Sequence, residues 1–158
     1  MNDILLMFAF ILLLLCFHEL AHIISAKFLN LKIYHIGFNL KPLPHFFVGV
    51  ENTNIAYKKN IYLFSGFFCT IVLFVISISN GFWRIEQLYW AFLIQLAIET
   101  NPFYSDFVIY IINKKVEKSN VSTNHSAILR LHYFSLTWYL HFISWTAFIM
   151  FLFNLKFI

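Results

Sequence analysis

The chain alternates between long apolar runs and shorter polar stretches. Four apolar runs stand out, at residues 4–28, 61–79, 87–112 and 127–153. A helix of about 20 apolar residues crosses the hydrocarbon core of a bilayer, and each run is close to that length or longer. The pattern therefore predicts a mainly helical, polytopic membrane protein with about four transmembrane helices.

The connection between the first two runs, residues 29–60, has a different pattern. Ile33, His35 and Gly37 interleave with Tyr34, Ile36 and Phe38, after which Pro42 and Pro44 break the chain and Val48-Gly49-Val50 follows. Such β-prone pieces separated by prolines predict strands or a small hairpin lying against the membrane face. An unpaired strand edge there would let an extended peptide bind by adding a strand.

Composition supports a membrane protein and excludes several other classes. Hydrophobic residues make up 61% of the 158 residues and charged residues only 11%, more apolar surface than a soluble domain of this size can bury. We expect a single membrane-embedded domain over residues 1–158. The two cysteines fall in apolar runs and predict no disulfide framework. The net charge of +4 is spread along the loops without a basic helix, which argues against a nucleic-acid partner.

The basic residues predict the orientation in the membrane. Only Arg84 and Lys156 belong to the side that holds the termini and the second connection. The other nine belong to the side of the first and third connections: Lys27, Lys32, Lys41, Lys58, Lys59, Lys114, Lys115, Lys118 and Arg130. By the positive-inside rule, both termini lie outside and residues 29–60 face the cytoplasm of a multi-pass protein of the cell membrane.

The first run contains the sequence His18-Glu19-Leu20-Ala21-His22. On a helix, two histidines four residues apart lie one turn above each other, with Glu19 beside them, which is the arrangement of metal hydrolases. Imidazoles and a carboxylate are costly in hydrocarbon unless they face the protein interior and bind something. The alternative is a polar cluster satisfied by neighbouring helices. The motif predicts a metal site in the cytoplasmic half of the first span.

A second group of polar residues lies in the third run. Pro102 removes a backbone hydrogen bond and kinks the helix, so we expect the backbone around Asn101 to open. Asn101 then pairs with this backbone or with the backbone of a substrate. Asp106 follows at a depth similar to that of the histidines and is the favoured third ligand of a zinc ion, with Glu99 as the alternative.

Together these residues resemble the site-2 protease family of intramembrane zinc metalloproteases. The likeness covers the first three spans in the family's order. It rests on the following elements: His18-Glu19-Leu20-Ala21-His22, Ala26-Lys27, Leu31, Ile36-Gly37-Phe38, Ser65-Gly66, and Asn101-Pro102 with Asp106. The resemblance implies a catalytic core over about residues 4–112, followed by an extra C-terminal helix over about residues 127–153. No stretch of the sequence is long or polar enough to predict an inserted soluble domain.

The resemblance also implies an activity. One Zn²⁺ per chain would be held by His18, His22 and Asp106, with Glu19 as the base that activates water. Family members cleave peptide bonds within or next to transmembrane segments, so a membrane-protein or signal-peptide substrate is expected, in regulated proteolysis or peptide maturation.

The chain departs from the family in two places. Where the family has Gly-Pro-x-x-Asn, this chain has Gly66-Phe67-Phe68-Cys69-Thr70, and the family's Asp-Gly pair is Asp106-Phe107. Substrate binding by Gly66 and Thr70, with Asn101, is nevertheless the expectation that the resemblance gives.

Two other classes of protein compete with this interpretation. One is a non-catalytic zinc-binding membrane subunit or a degenerate protease that holds a client. The other is a membrane di-iron oxygenase, in which Glu19 and His22 would form a carboxylate–histidine pair. Such enzymes need more ligands, in repeated histidine boxes, than the sequence contains.

Overall fold

The structure is a computed structural model that describes residues 2–39, 45–51, 53, 55–103, 105–119 and 132–154. Its elements are helix α1 (Asn2–Phe28), strands β1 (Ile33–Asn39) and β2 (His45–Val50), helix α2 (Ala56–Ser79), a short 3-10 helix (Phe82–Arg84), and helices α3 (Glu86–Glu99), α4 (Asp106–Ser119) and α5 (Leu136–Asn154). The chain consists of two compact units, Met1–Leu96 and Ala97–Ile158.

Among the described residues, three helices are long and apolar enough to cross a membrane: α1, α2 and α5. They agree with the predicted membrane protein. The third predicted span, residues 87–112, is not one helix, because α3 and α4 have 14 residues each and are separate. Pro102 lies between them and cannot continue a helical hydrogen-bond ladder. A 14-residue helix is about 21 Å long and too short to cross the hydrocarbon core alone, so four crossings remain a prediction.

Helices α1 and α2 and most of α3 pack together in the N-terminal unit. Leu14, Ala91 and Phe92 are buried at the centre, and Met7, Phe10, Ile11, Leu73, Phe74 and Leu88 surround them. Other apolar side chains of α1, among them Ile4, Leu5, Phe8 and Ile24, are exposed. An apolar surface of this extent is unusual for a soluble protein and suits contact with lipid.

The predicted hairpin between the first two apolar helices is confirmed. Strands β1 and β2 pair antiparallel, with Ile36 opposite Val48 and Gly37 opposite Phe47. Helix α2 begins at Ala56, before the predicted start at residue 61. The apolar pattern missed this first turn because its residues include Lys58, whose ammonium group donates to the Leu29 carbonyl at 2.8 Å.

The end of α1 directs the chain into the hairpin. Asn30 adopts a left-handed conformation with φ of 55°. The Leu31 N–H donates to the Ala26 carbonyl at 2.8 Å, and the Asn30 N–H donates to the Lys27 carbonyl at 3.1 Å. These two bonds form a Schellman cap, for which asparagine is one of the suitable residues.

In the C-terminal unit, α4 is connected to the start of α5 through Lys115. The Lys115 ammonium group donates to Thr137 Oγ1 at 3.0 Å and to Ser135 Oγ at 3.4 Å, and it lies 3.3 Å from His132 Nδ1. The fourth run was predicted as a helix over residues 127–153. Residues 127–131 lie outside the described residues, and α5 itself begins at Leu136.

Candidate metal centre

The two motif histidines face each other along α1. Their rings are 4.8 Å apart between centroids, and His22 Nε2 lies 3.1 Å from His18 Nε2. Two nitrogen ligands of a tetrahedral zinc, each about 2.0–2.1 Å from the metal, are roughly 3.3 Å apart. The spacing of the two ring nitrogens therefore suits one shared ion.

Contacts with α2 define the proton position on His22. Its Nδ1 atom lies 2.9 Å from the carbonyl oxygen of Tyr62 and 3.1 Å from Ser65 Oγ. Because a carbonyl oxygen only accepts hydrogen bonds, Nδ1 carries a proton, and in the neutral ring Nε2 then keeps its lone pair. This is the tautomer that a metal requires when it binds the imidazole through Nε2.

Two serines extend this arrangement. The Ser65 hydroxyl donates to the Tyr62 carbonyl at 2.7 Å, and Ser25 Oγ lies 3.0 Å from both Ser65 Oγ and the His22 carbonyl oxygen. The sequence alone predicts no role for Ser25 or Tyr62. For Ser25, the spacing could have indicated one, because it follows His22 by three residues and so shares its helix face.

Gly66 leaves the space that the His18 ring occupies. A Cβ atom at this position would lie 2.5 Å from both Nδ1 and Nε2 of His18, closer than real Cβ atoms approach other atoms. Thr70, one turn further along α2, is buried and its hydroxyl donates to the Gly66 carbonyl at 3.4 Å. Contact with His18 is thus a role for Gly66 that the sequence did not predict, and substrate binding by Gly66 and Thr70 stays a prediction.

In the C-terminal unit, Asn101 pairs with the backbone that Pro102 interrupts. Its Nδ2 donates to the Ile98 carbonyl at 2.5 Å, and its Oδ1 accepts from the Phe103 N–H at 2.9 Å. The side chain is buried. Of the two uses predicted for Asn101, pairing with its own backbone is therefore present, and a contact with substrate stays a prediction.

The interrupted backbone receives further hydrogen bonds from α5 and the turn before it. Each of four carbonyl groups accepts from a different side chain: Ala97 from Trp145 Nε1, Thr100 from His141 Nε2 and Pro102 from Trp138 Nε1, all at 3.0 Å, and Phe103 from the Tyr133 hydroxyl at 2.6 Å. Hydrocarbon cannot satisfy a carbonyl group. The sequence alone does not predict these hydrogen bonds, although positions 138, 141 and 145 share one helix face.

The two acidic candidates flank this interruption. Glu99 is the last residue of α3 and is buried, whereas Asp106 is the first residue of α4 and is half-buried. Just before Asp106, Ser105 is buried and its hydroxyl donates to the Asn101 carbonyl at 2.5 Å. A carboxylate in the first turn of a helix is favoured by the helix dipole.

His18 and His22, both in the N-terminal unit, are two side chains that could hold a metal ion together. Asp106 belongs to the C-terminal unit, and its role as the third ligand stays a prediction. Two imidazole nitrogens and one carboxylate oxygen are a common ligand set of catalytic zinc sites, in which three protein ligands leave a fourth position open. The two imidazoles, the space left by Gly66 and the tautomer of His22 all suit a bound metal ion.

The space at Gly66 gives a testable prediction. Replacing Gly66 with Ala should displace the His18 ring and lower the affinity for Zn²⁺ by roughly tenfold or more, as measured by competition with a chromogenic chelator. Gly49→Ala is the matched control, because its Cβ would lie 3.6 Å from the His35 carbonyl oxygen, an ordinary contact. Equal affinities of the two variants would contradict the steric role of Gly66.

The hydrogen bonds from α5 give a second prediction. Trp138→Phe leaves the Pro102 carbonyl without its indole donor and should lower the free energy of unfolding by about 1–3 kcal/mol. Trp90→Phe serves as the control, because the Trp90 indole N–H meets an exposed Glu86 carboxylate at 3.4 Å. Unfolding of both variants in mixed micelles measures the difference, and an equal loss of stability would argue against the role of the Trp138 hydrogen bond.

Comparison with known proteins does not indicate a function for the chain. No protein-family model, no curated protein and no solved structure matches the chain. The likeness of its motifs to the site-2 proteases stays a prediction, and a function for the chain depends on the residues described above and on their contacts.

Proposed function

We propose that this chain is an intramembrane zinc metalloprotease of the site-2 protease type. The proposal depends on one observation above all, the ring nitrogens of His18 and His22 that lie 3.1 Å apart. Both histidines and Glu19 lie on α1, which is apolar and long enough to cross a membrane. Ionisable residues in such a helix favour a functional site, since they are costly to keep in lipid.

In the proposed enzyme, one Zn²⁺ per chain is held by His18, His22 and Asp106. When bound, zinc would act as a Lewis acid that makes water more acidic and polarises the carbonyl group of the scissile bond. The surrounding residues keep the ligands in place: the Tyr62 carbonyl and Ser65 orient His22, and Gly66 leaves room for His18.

Glu19 is the proposed catalytic residue. Its position between the two histidines lets its carboxylate accept a proton from the attacking water as the water oxygen bonds to the carbonyl carbon. When the bond between carbon and nitrogen breaks, the same carboxyl group gives that proton to the leaving nitrogen. The products are a new carboxylic acid and a new amine, with no other reactant than water.

The proposed substrate is a transmembrane segment or a signal-peptide remnant. A helix engages its carbonyl groups in its own hydrogen bonds, so such a segment must unwind locally before hydrolysis. Strand β2 packs against α1, while β1 carries the exposed side chains of Tyr34, Ile36 and Phe38. Addition of the unwound segment as a strand beside β1 is the proposed mode of binding.

The proposed membrane topology follows from the charges. Both termini lie outside the cell, the hairpin faces the cytoplasm, and the third of four crossings is made by residues 87–112 with an interruption at Pro102. A discontinuous crossing is tolerated where the interrupted backbone is satisfied within the protein. The four carbonyl groups that accept from residues 133–145 support this proposal.

The role of Glu19 can be tested in proteoliposomes that contain a single-span substrate. Glu19→Gln keeps the size of the side chain but cannot accept the proton, so cleavage should fall about 100-fold or more while bound zinc is retained. Glu86→Gln is the control, because Glu86 is exposed in the first turn of α3. Cleavage at the same rate by Glu19→Gln and Glu86→Gln would refute the catalytic role.

Metal analysis of the purified chain separates the proposal from its rivals. The protease and the non-catalytic zinc-binding subunit both predict one zinc per chain, and the absence of cleavage with zinc bound would favour the subunit. Two irons per chain would favour a di-iron oxygenase.

The third ligand can be identified by comparing two conservative variants. Asp106→Asn removes a ligand charge and should weaken Zn²⁺ binding by about tenfold or more, whereas Glu99→Gln should leave the affinity close to that of the wild type. Chelator competition measures both. If Glu99→Gln loses the metal and Asp106→Asn retains it, Glu99 is the ligand instead.

A further inference from the structure

Tyr62 contacts both the candidate metal ligand and the hairpin. Its backbone carbonyl lies 2.9 Å from Nδ1 of His22, and its side-chain hydroxyl donates to the carbonyl of Val48 in β2. The Tyr62 ring also packs against the His22 ring, with 5.2 Å between centroids. One residue of α2 therefore joins a ligand on α1 to a strand of the hairpin.

We propose that Tyr62 is a positioning residue that couples metal binding at His22 to the placement of strand β2. This inference rests on the proposed function, since it needs a metal at His18 and His22. A bound ion fixes the His22 ring, and the hydrogen bond from Nδ1 then fixes the Tyr62 backbone and the hydroxyl that carries β2. Such coupling is reciprocal, so a peptide that orders the hairpin also increases the affinity for the metal.

The connection has two parts, the contact with His22 and the hydrogen bond to Val48, and Ser65 allows the first part to be changed by itself. Its hydroxyl contacts Nδ1 of His22 at 3.1 Å and the Tyr62 carbonyl at 2.7 Å. Ser65 lies about one helical turn after Tyr62 in α2. A change at Ser65 should weaken the orientation of the ligand and leave the bond from Tyr62 to Val48 intact. A change of the Tyr62 hydroxyl should instead remove the hydrogen bond to Val48 and so loosen the hairpin.

The physical basis is the cost of leaving backbone groups unpaired near the membrane. The Val48 carbonyl without its donor must find water or move, so β2 becomes looser. The wild-type protein avoids this loss only while α2 holds Tyr62 in place. The His22 hydrogen bond acts on that same residue, which is why the ligand and the strand respond together.

Hydrogen exchange of the full chain in micelles tests the proposal. In the wild type, saturating Zn²⁺ should slow the exchange of amides in residues 45–50. In Tyr62→Phe this slowing should be lost and Zn²⁺ affinity should fall about fivefold or more, the lower end of typical coupling between sites. Tyr57→Phe, on an exposed tyrosine of the same helix, should behave as the wild type.

Ser65→Ala provides the second arm. It should lower Zn²⁺ affinity by about tenfold, as loss of an outer-sphere partner commonly does, yet keep the slowing of exchange once zinc is saturating. The d–d absorption of the Co²⁺-substituted site should change in Ser65→Ala, because the ligand orientation changes, and Ser65→Thr should restore it.

The outcomes distinguish a failure of the coupling from a failure of the proposed protease function. If the wild type binds no zinc, the proposed protease fails and the coupling fails with it. If the wild type binds zinc but Tyr62→Phe keeps its affinity and its zinc-dependent protection, only the coupling is overturned. A further outcome is that the amides of residues 45–50 in Tyr62→Phe exchange rapidly both with and without Zn²⁺. In that case, a Zn²⁺ affinity equal to that of the wild type overturns the coupling, and a reduced affinity supports it.

Discussion

Hydrocarbon offers no hydrogen bonds, and this constraint accounts for two groups of polar contacts in the structure. A buried polar group in a membrane must be satisfied by the protein or it costs several kcal/mol. In the N-terminal unit, the His22 ring is paired with the Tyr62 carbonyl and Ser65. In the C-terminal unit, the interrupted backbone around Pro102 is paired with side chains from residues 133–145. In both of these places, polar groups that would be costly in hydrocarbon have partners on another segment of the same unit.

The sequence predicted the apolar helices α1, α2 and α5, the hairpin and the pairing of His18 with His22 because these depend on short-range patterns. Histidines four residues apart share a helix face in any α-helix, so His18 and His22 could be placed together without knowing the fold. Alternating β-prone residues and prolines likewise predicted β1 and β2. The roles of Glu19 and Asp106 come from the likeness to a protease family and stay predictions.

What the sequence could not predict depends on contacts between distant segments. Tyr62 acts on His22 through its backbone carbonyl, which every residue possesses, so no residue type marks the position. Gly66 was noticed for its place in a family pattern, but the reason for a glycine is the His18 ring on another helix. The third span was predicted as one kinked helix because a proline alone does not reveal whether the surroundings can satisfy a complete break. Here they can, and α3 ends before α4 begins.

The unbroken helix α1 and the helix α4, which starts after a break in the chain, suit different tasks. An unbroken helix fixes the distance between His18 and His22 without help, because the spacing is set by the helical repeat. A carboxylate in the first turn of α4 needs a helix that starts inside the protein, and so needs a break before it. That break exposes the carbonyl groups of Ala97, Thr100 and Pro102, and their stabilisation comes from α5. Helix α5 therefore contributes more than packing: without its indole and imidazole donors, the start of α4 at Asp106 would leave unpaired carbonyl groups within the C-terminal unit.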